Sequence, residues 1–586
     1  MRRRPACTIV ALSATWLCFG PGPVHGQETP DAGSLLRQEE NLQPSLPQEL
    51  ERFEAERPLP ELTGIGDQTV TVQEVRFTGA TDLVDDADLQ DVVAEAIGRS
   101  LDFNGLQALA ERVTRELKAQ GWILARAYLP EQDVTEGVIT IGIIPGRLDT
   151  QGRAFRIEAV GERALRIDPE RLGRTLTELV PAGEPVRTAD INRAVLLIND
   201  LPGITAAARL EPGEAPGSSH VLLSVEEGPL WGGIARASNS GNRSTGRNRV
   251  NASALLSNPT GRGEQYRVSG TETKGMDYLS LDYAQPLGYN GLTGSLHYAR
   301  LHYDIVEGEG RDSGISGDAT VYRAGLEYPV LRSRRTNFTI GFDLEREALD
   351  DRVETDPISD RRVETAALPL AFDHRDGWLG GGRTDAVVTP VYGHLDLSGF
   401  QRQARDDAAS FRRAGHFGRV AYQFSRLQAL GDSPFTFHGE WRGQWASKNL
   451  DSSQRFQPAG PYGVRAYPSG EAGSDEGNLL RAELRYSLPT GALRYGSGLI
   501  GVFYDVAWVR RNEDLKGERI DSITGKNSYH LEGAGARIVY QLPERLTLSF
   551  TWARAIGDNP GRSVDGSNSD GLSDDHQVWL EATLQL

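Results

Sequence analysis

The feature of this sequence that most constrains its fold is a period-two alternation of apolar and polar residues, which runs from about residue 230 to the C-terminus. The alternating segments, of about 8–14 residues each, are separated by clusters of Gly, Asn, Asp and Ser, and helical periodicity is absent. Clear examples occupy residues 250–256, 279–283, 338–344 and 580–586. Because successive side chains of a strand point to opposite faces, this pattern predicts β-strands with one apolar and one polar face.

The number and spacing of these segments favour a barrel that crosses a membrane. We count about sixteen segments in the 356 residues after Leu230, or about 22 residues for each strand and its connection, which is typical of membrane strands. Closure into a barrel pairs every backbone N–H and C=O group, which is necessary in a bilayer because no water is there to form hydrogen bonds with unpaired groups. A soluble sandwich or propeller would also alternate, but the strands are long and no blade-like repeat is present. We therefore predict a transmembrane β-barrel over residues 230–586.

The N-terminus has the three parts of an export signal. Three arginines at positions 2–4 precede a short apolar segment at residues 6–20, and Val24-His25-Gly26 follows. We predict a signal peptide over residues 1–26, with cleavage before Gln27. The chain has no apolar run of about 18 residues, which excludes a helical membrane protein.

Cysteine use and charge exclude further classes of protein. Both cysteines, Cys7 and Cys18, lie in the predicted signal peptide, so the mature chain has no disulfide framework, thiol nucleophile or thiolate metal site. The formal net charge is −18, and removing the three arginines of the signal makes it −21. This acidic balance argues against a general nucleic-acid binder, and we expect no nucleic-acid partner.

Between the signal and the barrel, the sequence predicts a linker and two small α+β units. Residues 27–69 are polar and rich in proline, with one short helix predicted at residues 33–40. Residues 70–145 then show a strand, two segments of helical periodicity and two further strands. Residues 146–229 repeat this β-α-α-β-β order, and Asp168-Pro169 is typical of a helix start. The region therefore predicts an internal structural duplication.

A search for enzyme signatures finds none. HExxH, GxSxG and GxxxxGK[ST] are absent, and the 10 histidines show no ligand spacing. The acidic segment at residues 565–575 lacks the spacing of an EF-hand and is interpreted as a solvated loop. We expect no catalytic residue, no metal site and no cofactor.

Five short segments, each weak alone, together indicate a family. Residues 210–219 join two strands of the second small unit, and their characteristic positions are Pro212, Gly213, Pro216, Gly217, Ser218 and Ser219. Residues 239–246 and 258–264 flank the second barrel strand, and the latter contain Asn258, Pro259, Gly261 and Gly263. The remaining two are Gly-Val-Arg-Ala-Tyr at residues 463–467 and Phe-Tyr-Asp at residues 503–505. In this order they resemble the outer-membrane transporters of two-partner secretion, of the haemolysin-activator and filamentous-haemagglutinin-transporter type, within the superfamily of barrel-assembly insertases.

The resemblance covers essentially the whole mature chain and implies an architecture. It implies two periplasmic polypeptide-transport-associated (POTRA) domains, over residues 70–145 and 146–229, and a 16-stranded antiparallel barrel over residues 230–586. It implies that the early helix plugs the pore at rest. It also places a motif at the tip of a long sixth extracellular loop folded into the lumen, and the motif comprises Val464, Arg465, Ala466 and Tyr467.

A gating pair is the site that the resemblance implies. Arg465 is expected to meet Asp505 on the inner face of the thirteenth strand, where a guanidinium can donate two parallel hydrogen bonds to a carboxylate. The alternative interpretation is a scaffold contact with no role in transport. The sequence departs from the family pattern at Ala466 and Ala507, where glycine is usual, at Glu264, where aspartate is common, and at the terminal Leu586, where phenylalanine is usual.

The function that the resemblance implies is secretion of a large, β-rich partner exoprotein of the haemolysin or adhesin class from the periplasm to the cell surface of a Gram-negative bacterium. The expected partners are this exoprotein in unfolded form, outer-membrane lipid and the outer-membrane assembly machinery. An insertase that folds other barrels and a passive porin stay open as alternatives. The two-unit arm and the segment at residues 210–219 favour secretion.

Overall fold

The structure, a computed structural model, describes residues 29–42, 69–150, 154–161, 164–214, 218–489, 491–543 and 545–586. The predicted signal peptide, most of the predicted linker (residues 43–68), Pro216 and Gly217 lie outside the described residues. The first described element is a helix, α1 (Ala32–Leu42), which contains the predicted helix at residues 33–40.

The first small unit packs two helices against a three-stranded sheet. Its elements, in chain order, are β1 (Val70–Thr71), β2 (Glu74–Gly79), α2 (Asp86–Val93), β3 (Ser100–Leu101), α3 (Phe103–Ala119), β4 (Arg126–Tyr128) and β5 (Val138–Ile144). Strand β5 lies between β2, to which it is parallel, and β4, to which it is antiparallel. The buried side of α3 shares one apolar core with the alternating isoleucines of β5, namely Ile139, Ile141 and Ile143.

The second small unit repeats this order. Its elements are β6 (Arg147–Leu148), β7 (Phe155–Ala159), α4 (Pro169–Leu179), α5 (Thr188–Asn199), β8 (Ile204–Pro212) and β9 (Ser218–Glu227). Asp168 caps α4 by accepting a hydrogen bond from the amide of Glu170, and Pro169 occupies the first turn. Strand β9 lies between β8 on one side and β6 with β7 on the other. The β-α-α-β-β order predicted for both units is confirmed.

All remaining strands form one closed antiparallel barrel. They are β10 (Trp231–Ser238), β11 (Arg249–Ser257), β12 (Gln265–Glu272), β13 (Met276–Pro286), β14 (Thr293–Asp304), β15 (Ile315–Arg332), β16 (Thr336–Val353), β17 (Asp356–Ala367), β18 (Leu370–Asp376), β19 (Gly382–Asp396), β20 (Gly415–Ala429), β21 (Phe435–Ala446), β22 (Glu476–Ser487), β23 (Ser497–Arg510), β24 (Ser528–Leu542), β25 (Leu546–Ile556) and β26 (His576–Gln585). A helix, α6 (Gln401–Ala409), lies in the loop between β19 and β20.

The barrel has sixteen strands, as predicted, because β17 and β18 continue one another. Both pair with β16 on one side and with β19 on the other. Strand β23 is therefore the thirteenth strand. The barrel closes between β10 and β26 through five residue pairs, from Ile234 opposite Gln585 to Ser238 opposite Glu581, whereas β10 and β11 share eight.

The two faces of the barrel follow the sequence alternation. On β13, for example, Leu279 and Leu281 are 46% and 43% exposed on the outer face, while Tyr278 and Ser280, which alternate with them, are buried. Buried polar residues such as Asn251, Thr271, Arg361 and Arg419 face the interior. None of the helices in the described part of the chain is long and apolar enough to cross a bilayer.

The second small unit is attached to one end of the barrel. Arg332 at the end of β15 forms two hydrogen bonds with Asp200, of 2.9 and 2.6 Å. Arg193 donates to the carbonyl of Pro329 at 2.8 Å. The two small units are joined by the amide of Thr188, which donates to the carbonyl of Gly121 at 2.8 Å. These contacts fix which end of the barrel faces the small units.

Candidate functional site

The long sixth loop at the far end of the barrel folds back into the lumen. It connects β21 to β22 over residues 447–475. Four consecutive residues of the predicted motif are 0–2% exposed, namely Val464, Arg465, Ala466 and Tyr467. The amide of Val464 donates to the carbonyl of Pro458 at 2.8 Å, and that of Tyr467 donates to the carbonyl of Val464. The motif is therefore a compact turn packed inside the barrel.

The guanidinium of Arg465 is held by two carboxylates and an aromatic ring. Its Nε and Nη2 each donate to Asp505 at 2.8 Å, and its Nη1 donates to Glu483 at 2.6 Å. The backbone amide of Arg465 adds a fourth bond, of 3.1 Å, to Asp505. The guanidinium carbon lies 3.3 Å from the ring centre of Phe503. Burial opposes the charge on Arg465, but Asp505 and Glu483 outweigh it and raise its pKa.

This geometry fixes the loop tip rather than merely attracting it. Asp505 lies on the inner face of β23 and is fully buried. A bidentate guanidinium–carboxylate contact specifies direction as well as distance. Because Arg465 and Asp505 are both desolvated, either charge alone inside the barrel would be costly.

The last strand also binds the loop, through a residue that the sequence did not reveal. Trp579 of β26 faces inward, is 8% exposed and donates from Nε1 to the backbone carbonyl of Arg465 at 2.8 Å. Near it, Tyr462 of the loop donates to Glu581 of β26 at 3.3 Å and accepts from Arg236 of β10. The loop thus contacts both strands of the barrel closure. The sequence contained one indication of this role: residue 579 falls on the polar, inward side of a strand whose apolar residues are at alternate positions, such as residue 580.

Ala466 and Ala507, where the family resemblance leads us to expect glycine, are both buried near the loop tip. Ala466, Ala507 and Val464 belong to one buried cluster. Opposite them, a Cβ at Gly533 would lie 2.5 Å from the Cβ of Ala466. The methyl group of Ala466 therefore fits because residue 533 is a glycine and has no side chain.

Helix α1 lies inside the barrel, and it and the preceding residue, Asp31, form three ion pairs with inward-facing arginines. Asp31 pairs with Arg361 of β17 at 2.8 Å, Glu39 with Arg249 of β11 at 2.8 Å, and Glu40 with Arg323 of β15 at 3.0 Å. Burial acts to raise the pKa of Asp31, but Arg361 and hydrogen bonds from Ser34 and Ser452 outweigh it and lower it to about 2. Burial likewise acts on Glu40, and Arg323 with its neighbours lowers that pKa.

Helix α1 also packs against apolar side chains of the barrel wall and against the sixth loop. Ala32, Leu35 and Leu36 are 0–2% exposed and share a core with side chains of the barrel wall. A Cβ at Gly33 would lie 2.7 Å from the hydroxyl of Ser452, a residue of the sixth loop. Arg361 also contacts Asp451 of that loop at 3.0 Å. The helix and the loop therefore share a binding partner on the wall.

The motif at residues 210–219 forms the connection between β8 and β9. Pro212 lies opposite Ser219, and the amide of Gly213 donates to the carbonyl of Ser218 at 2.9 Å. A side chain at Gly213 would collide with Ser218. The structure thus places these four motif residues in one hairpin of the second small unit, far in sequence from the lumen loop.

The motif at residues 258–264 clamps the second small unit to the barrel. Asn258, with φ of +52°, donates to Glu227 at 2.7 Å and accepts from the amide of Gly263. Pro259 lies in the same turn, and the carbonyl of Gly261 accepts from the amide of Asp168 at 2.9 Å.

Glu264 stabilises this turn from within. It is 1% exposed and accepts backbone hydrogen bonds from Thr260 and Arg262. Burial acts to raise its pKa, but these hydrogen bonds outweigh burial and lower it.

Comparison with known families identifies this arrangement. The profile of the haemolysin secretion/activation proteins ShlB, FhaC and HecB matches residues 217–527, and that of the ShlB-type POTRA domain matches residues 70–146. The chain belongs to the ShlB/FhaC/HecB family. The first small unit is a POTRA domain, and the barrel is an outer-membrane barrel with its small units in the periplasm.

Individual relatives agree with this assignment over nearly the whole length. The chain is 24% identical to the heme/hemopexin transporter protein HuxB of Haemophilus influenzae strain 86-028NP, across 99% of both chains. It is 23% identical to the outer membrane transporter CdiB of Escherichia coli O6:K15:H31, covering 94% of this chain and 93% of CdiB. The solved structure of CdiB from Escherichia coli superposes with a TM-score of 0.66 at 21% identity, covering 90% of this chain and 93% of CdiB, which shows a shared fold.

The lumen contains α1 and the sixth loop, both of which form ion pairs with side chains of the barrel wall. Across the described ranges, no group of three or more His, Cys, Asp or Glu side chains is arranged to hold a metal ion.

Proposed function

We propose that this chain is the outer-membrane translocator of a two-partner secretion system, which exports a large, β-rich exoprotein in unfolded form. The observation that carries the proposal is that α1 lies inside the barrel, where three ion pairs, of Asp31, Glu39 and Glu40, attach it to the wall. A helix held in this way can leave without unfolding the barrel. A passive porin has no need of such a plug, nor of two periplasmic units.

Capture of the exoprotein is assigned to the exposed sheet edges of the small units. An extended chain that adds to an edge strand gains backbone hydrogen bonds with modest demand on sequence. In the first unit, β2 and β4 are the outer strands of the sheet, and in the second unit β7 and β8 have the same position. An unfolded exoprotein offers the unpaired backbone groups that such edges bind.

Transport then follows from removal of the plug and movement of the loop. The pair Arg465–Asp505 acts as the gating contact, because it fixes the loop tip inside the lumen at rest. Folding of the exoprotein outside the cell supplies direction, since the sequence has no nucleotide-binding loop. The translocator acts without catalysis of its own, and its barrel reaches the membrane through the outer-membrane assembly machinery.

The names of the relatives support an exported protein as cargo. HuxB is named a heme/hemopexin transporter and CdiB an outer membrane transporter. A further relative, 23% identical over 72% of this chain, is named the hemolysin transporter ShlB of Serratia marcescens. The exoprotein class proposed for this chain is accordingly the large secreted haemolysin or adhesin class.

Deletion of residues 70–228 tests the proposal, with the signal peptide and α1 retained. The culture medium of cells with the intact chain, the deletion and no chain is compared for large secreted proteins by mass spectrometry. We expect one large protein to be lost equally from the last two media. Heat-modifiable migration of the deletion variant in gels checks that its barrel is folded. Normal export by a folded deletion variant would contradict the proposal.

A further inference from the structure

The ion pair between Glu39 of α1 and Arg249 of the barrel is enclosed. The side chain of Arg249 is 5% exposed and that of Glu39 is 1% exposed, and Nη2 of Arg249 lies 2.8 Å from Oε1 of Glu39. The hydroxyl of Thr271 donates to the same oxygen at 2.7 Å. Two desolvated charges of this kind depend on each other, because neither has bulk water to replace its partner.

Arg249 differs from the two other arginines that hold the plug. Arg323 also pairs with Glu345 of the wall, and Arg361 also pairs with Asp351 of the wall and Asp451 of the sixth loop. Both would keep a carboxylate after α1 had left.

Glu581, the inward-facing carboxylate opposite Ser238 on β26, pairs with Arg236 at 3.8 Å, and no carboxylate of the described barrel wall forms a salt bridge with Arg249. Its cross-strand neighbour is Ser238, and the nearby inward-facing residues Asn251 and Thr271 are neutral. Within the described ranges, Glu39 is the one carboxylate that forms a salt bridge with Arg249. Departure of α1 therefore removes the carboxylate that is paired with Arg249, while the next carboxylate of the wall, Glu581, is already engaged by Arg236.

We propose that Arg249 and Thr271 form a carboxylate-binding site on the export path, where acidic side chains of the translocating polypeptide take the place of Glu39. This inference rests on the proposed function and deepens it, because it names the chemistry of the segment that opens the channel. An acidic segment restores the ion pair that plug release breaks. A neutral or basic segment leaves Arg249 without a counter-charge.

The geometry of the site suits a moving chain. Both donors, the guanidinium of Arg249 and the hydroxyl of Thr271, converge on one oxygen of Glu39. The second oxygen has no hydrogen-bond partner among the described residues. A site that grips one oxygen makes a charge-assisted contact without requiring the bidentate geometry of a fixed pair such as Arg465–Asp505. Aspartate and glutamate at varied angles can therefore be accepted in succession.

Channel recordings with synthetic peptides test the proposal. The full mature chain is inserted into planar bilayers, and peptides of equal length with Gly-Ser-Glu, Gly-Ser-Gln or Gly-Ser-Lys repeats are added on the POTRA side. The measured quantity is the mean duration of current blockades. With the native chain we expect blockades by the Glu peptide to last about ten times longer than those by the Gln peptide, because a hydrogen bond to a charged group is stronger than one between neutral groups by about this factor.

Variants separate this site from loosening of the plug. Arg249→Gln is expected to reduce the ratio of Glu to Gln blockade times to below about two. Glu39→Gln loosens the plug but leaves Arg249 in place, so the ratio is expected to persist. Arg346→Gln, which removes an exposed arginine from the outer face, is the matched control and keeps the native ratio.

A charge exchange gives the sharpest outcome. In the double variant Glu39→Lys with Arg249→Glu, the plug pair is restored with reversed sign, so the resting conductance stays low. The longest blockades are then expected from the Lys peptide. A native ratio in Arg249→Gln, or a continued preference for the Glu peptide in the double variant, would overturn the inference.

The outcome is independent of whether the chain secretes an exoprotein. If deletion of residues 70–228 abolishes export while Arg249→Gln keeps the native blockade ratio, the proposed function stands and the carboxylate site is wrong. If the ratio falls as expected but the deletion leaves export unchanged, Arg249 binds carboxylates, but the proposed function is wrong and so is the place of this site on an export path. The two failures are therefore distinguishable.

Discussion

Trp579 of the last barrel strand donates a 2.8 Å hydrogen bond to the backbone carbonyl of Arg465. Arg465 precedes Trp579 by 114 residues and lies at the tip of the sixth loop, inside the lumen. The bond ties the loop to the strand that closes the barrel. Tyr462 strengthens the connection by contacting Arg236 and Glu581, which lie on the two sides of that closure. Position of the loop and integrity of the closure are therefore coupled.

Removing the indole nitrogen tests this coupling. Trp579→Phe keeps an aromatic ring but removes the pyrrole part of the indole and leaves the carbonyl of Arg465 without its donor, and the lost hydrogen bond alone costs about 1 kcal/mol. We expect the loop to become mobile while the barrel stays folded. The measurement is the spectrum of a nitroxide attached at residue 461 through an introduced cysteine, which leaves Tyr462 in place; both native cysteines lie in the predicted signal peptide. The outward-facing Trp441→Phe, on a strand away from the closure, is the control.

Breaking the pair Arg465–Asp505 tests its gating role. Arg465→Ala removes the arginine that bonds both Asp505 and Glu483, which keep only Arg481 at 3.7 Å and Arg485 at 2.8 Å respectively. The cost is therefore at most that of a fully broken buried pair, about 3–5 kcal/mol. We expect the barrel still to insert and export to fall strongly, as measured by exoprotein in the medium. Normal export by an inserted Arg465→Ala barrel would support the alternative interpretation of this pair as a scaffold contact.

A conservative variant separates geometry from charge at the same site. Arg465→Lys keeps a positive charge but loses the planar fork that contacts both oxygens of Asp505. We expect Arg465→Lys to export at a level closer to Arg465→Ala than to the native chain. Export at the native level would show that charge alone is sufficient.

Crowding the contact between α1 and the sixth loop is expected to release the plug. The Cβ of Gly33→Val would meet the hydroxyl of Ser452 at 2.7 Å and the backbone nitrogen of Ser453 at 2.9 Å. Overpacking of this kind costs about 1–3 kcal/mol. The expected result is a higher open probability in planar bilayers. Asn41→Ala, at an exposed position of the same helix, is the control and is expected to keep the native conductance.

The repeating patterns of the sequence were sufficient to predict the fold. Alternation placed the barrel because a closed sheet with lipid outside and water within requires opposite faces of opposite polarity. Helical spacing of residues such as Leu106 and Leu109 placed the helices of the small units, where one face is buried. Both signals are local, so tertiary context did not override them.

The contacts of the site depend on closure and were less predictable. Arg465 and Asp505 were paired through the family resemblance, since nothing in their spacing brings them together. By residue type alone, Trp579 cannot be distinguished from the lipid-facing apolar residues of its strand. Its position in the alternation places it on the inner face. The partners of α1, such as Arg249 and Arg361, lie on strands far apart in sequence. These arginines can be identified as partners of α1 only once the position of the helix inside the closed barrel is known.

A glycine of the periplasmic turn provides the last prediction, on the orientation of the arm. Gly261 has φ of +84°, and a Cβ there would lie 2.5 Å from the carbonyl of Arg166 in the second small unit. Gly261→Ala therefore adds a collision with the arm to the strain of the left-handed backbone, which costs about 1–3 kcal/mol.

The matched control is Gly431→Ala, in another turn at the same end of the barrel. Gly431 also has positive φ, +64°, but a Cβ there meets nothing within 4 Å. We expect both variants to insert, and only Gly261→Ala to widen the distribution of distances between spin labels on the second small unit and the barrel. If the two variants gave the same distribution, the turn at residues 258–264 would not be what fixes the arm, because backbone strain is common to both substitutions and contact with Arg166 is not.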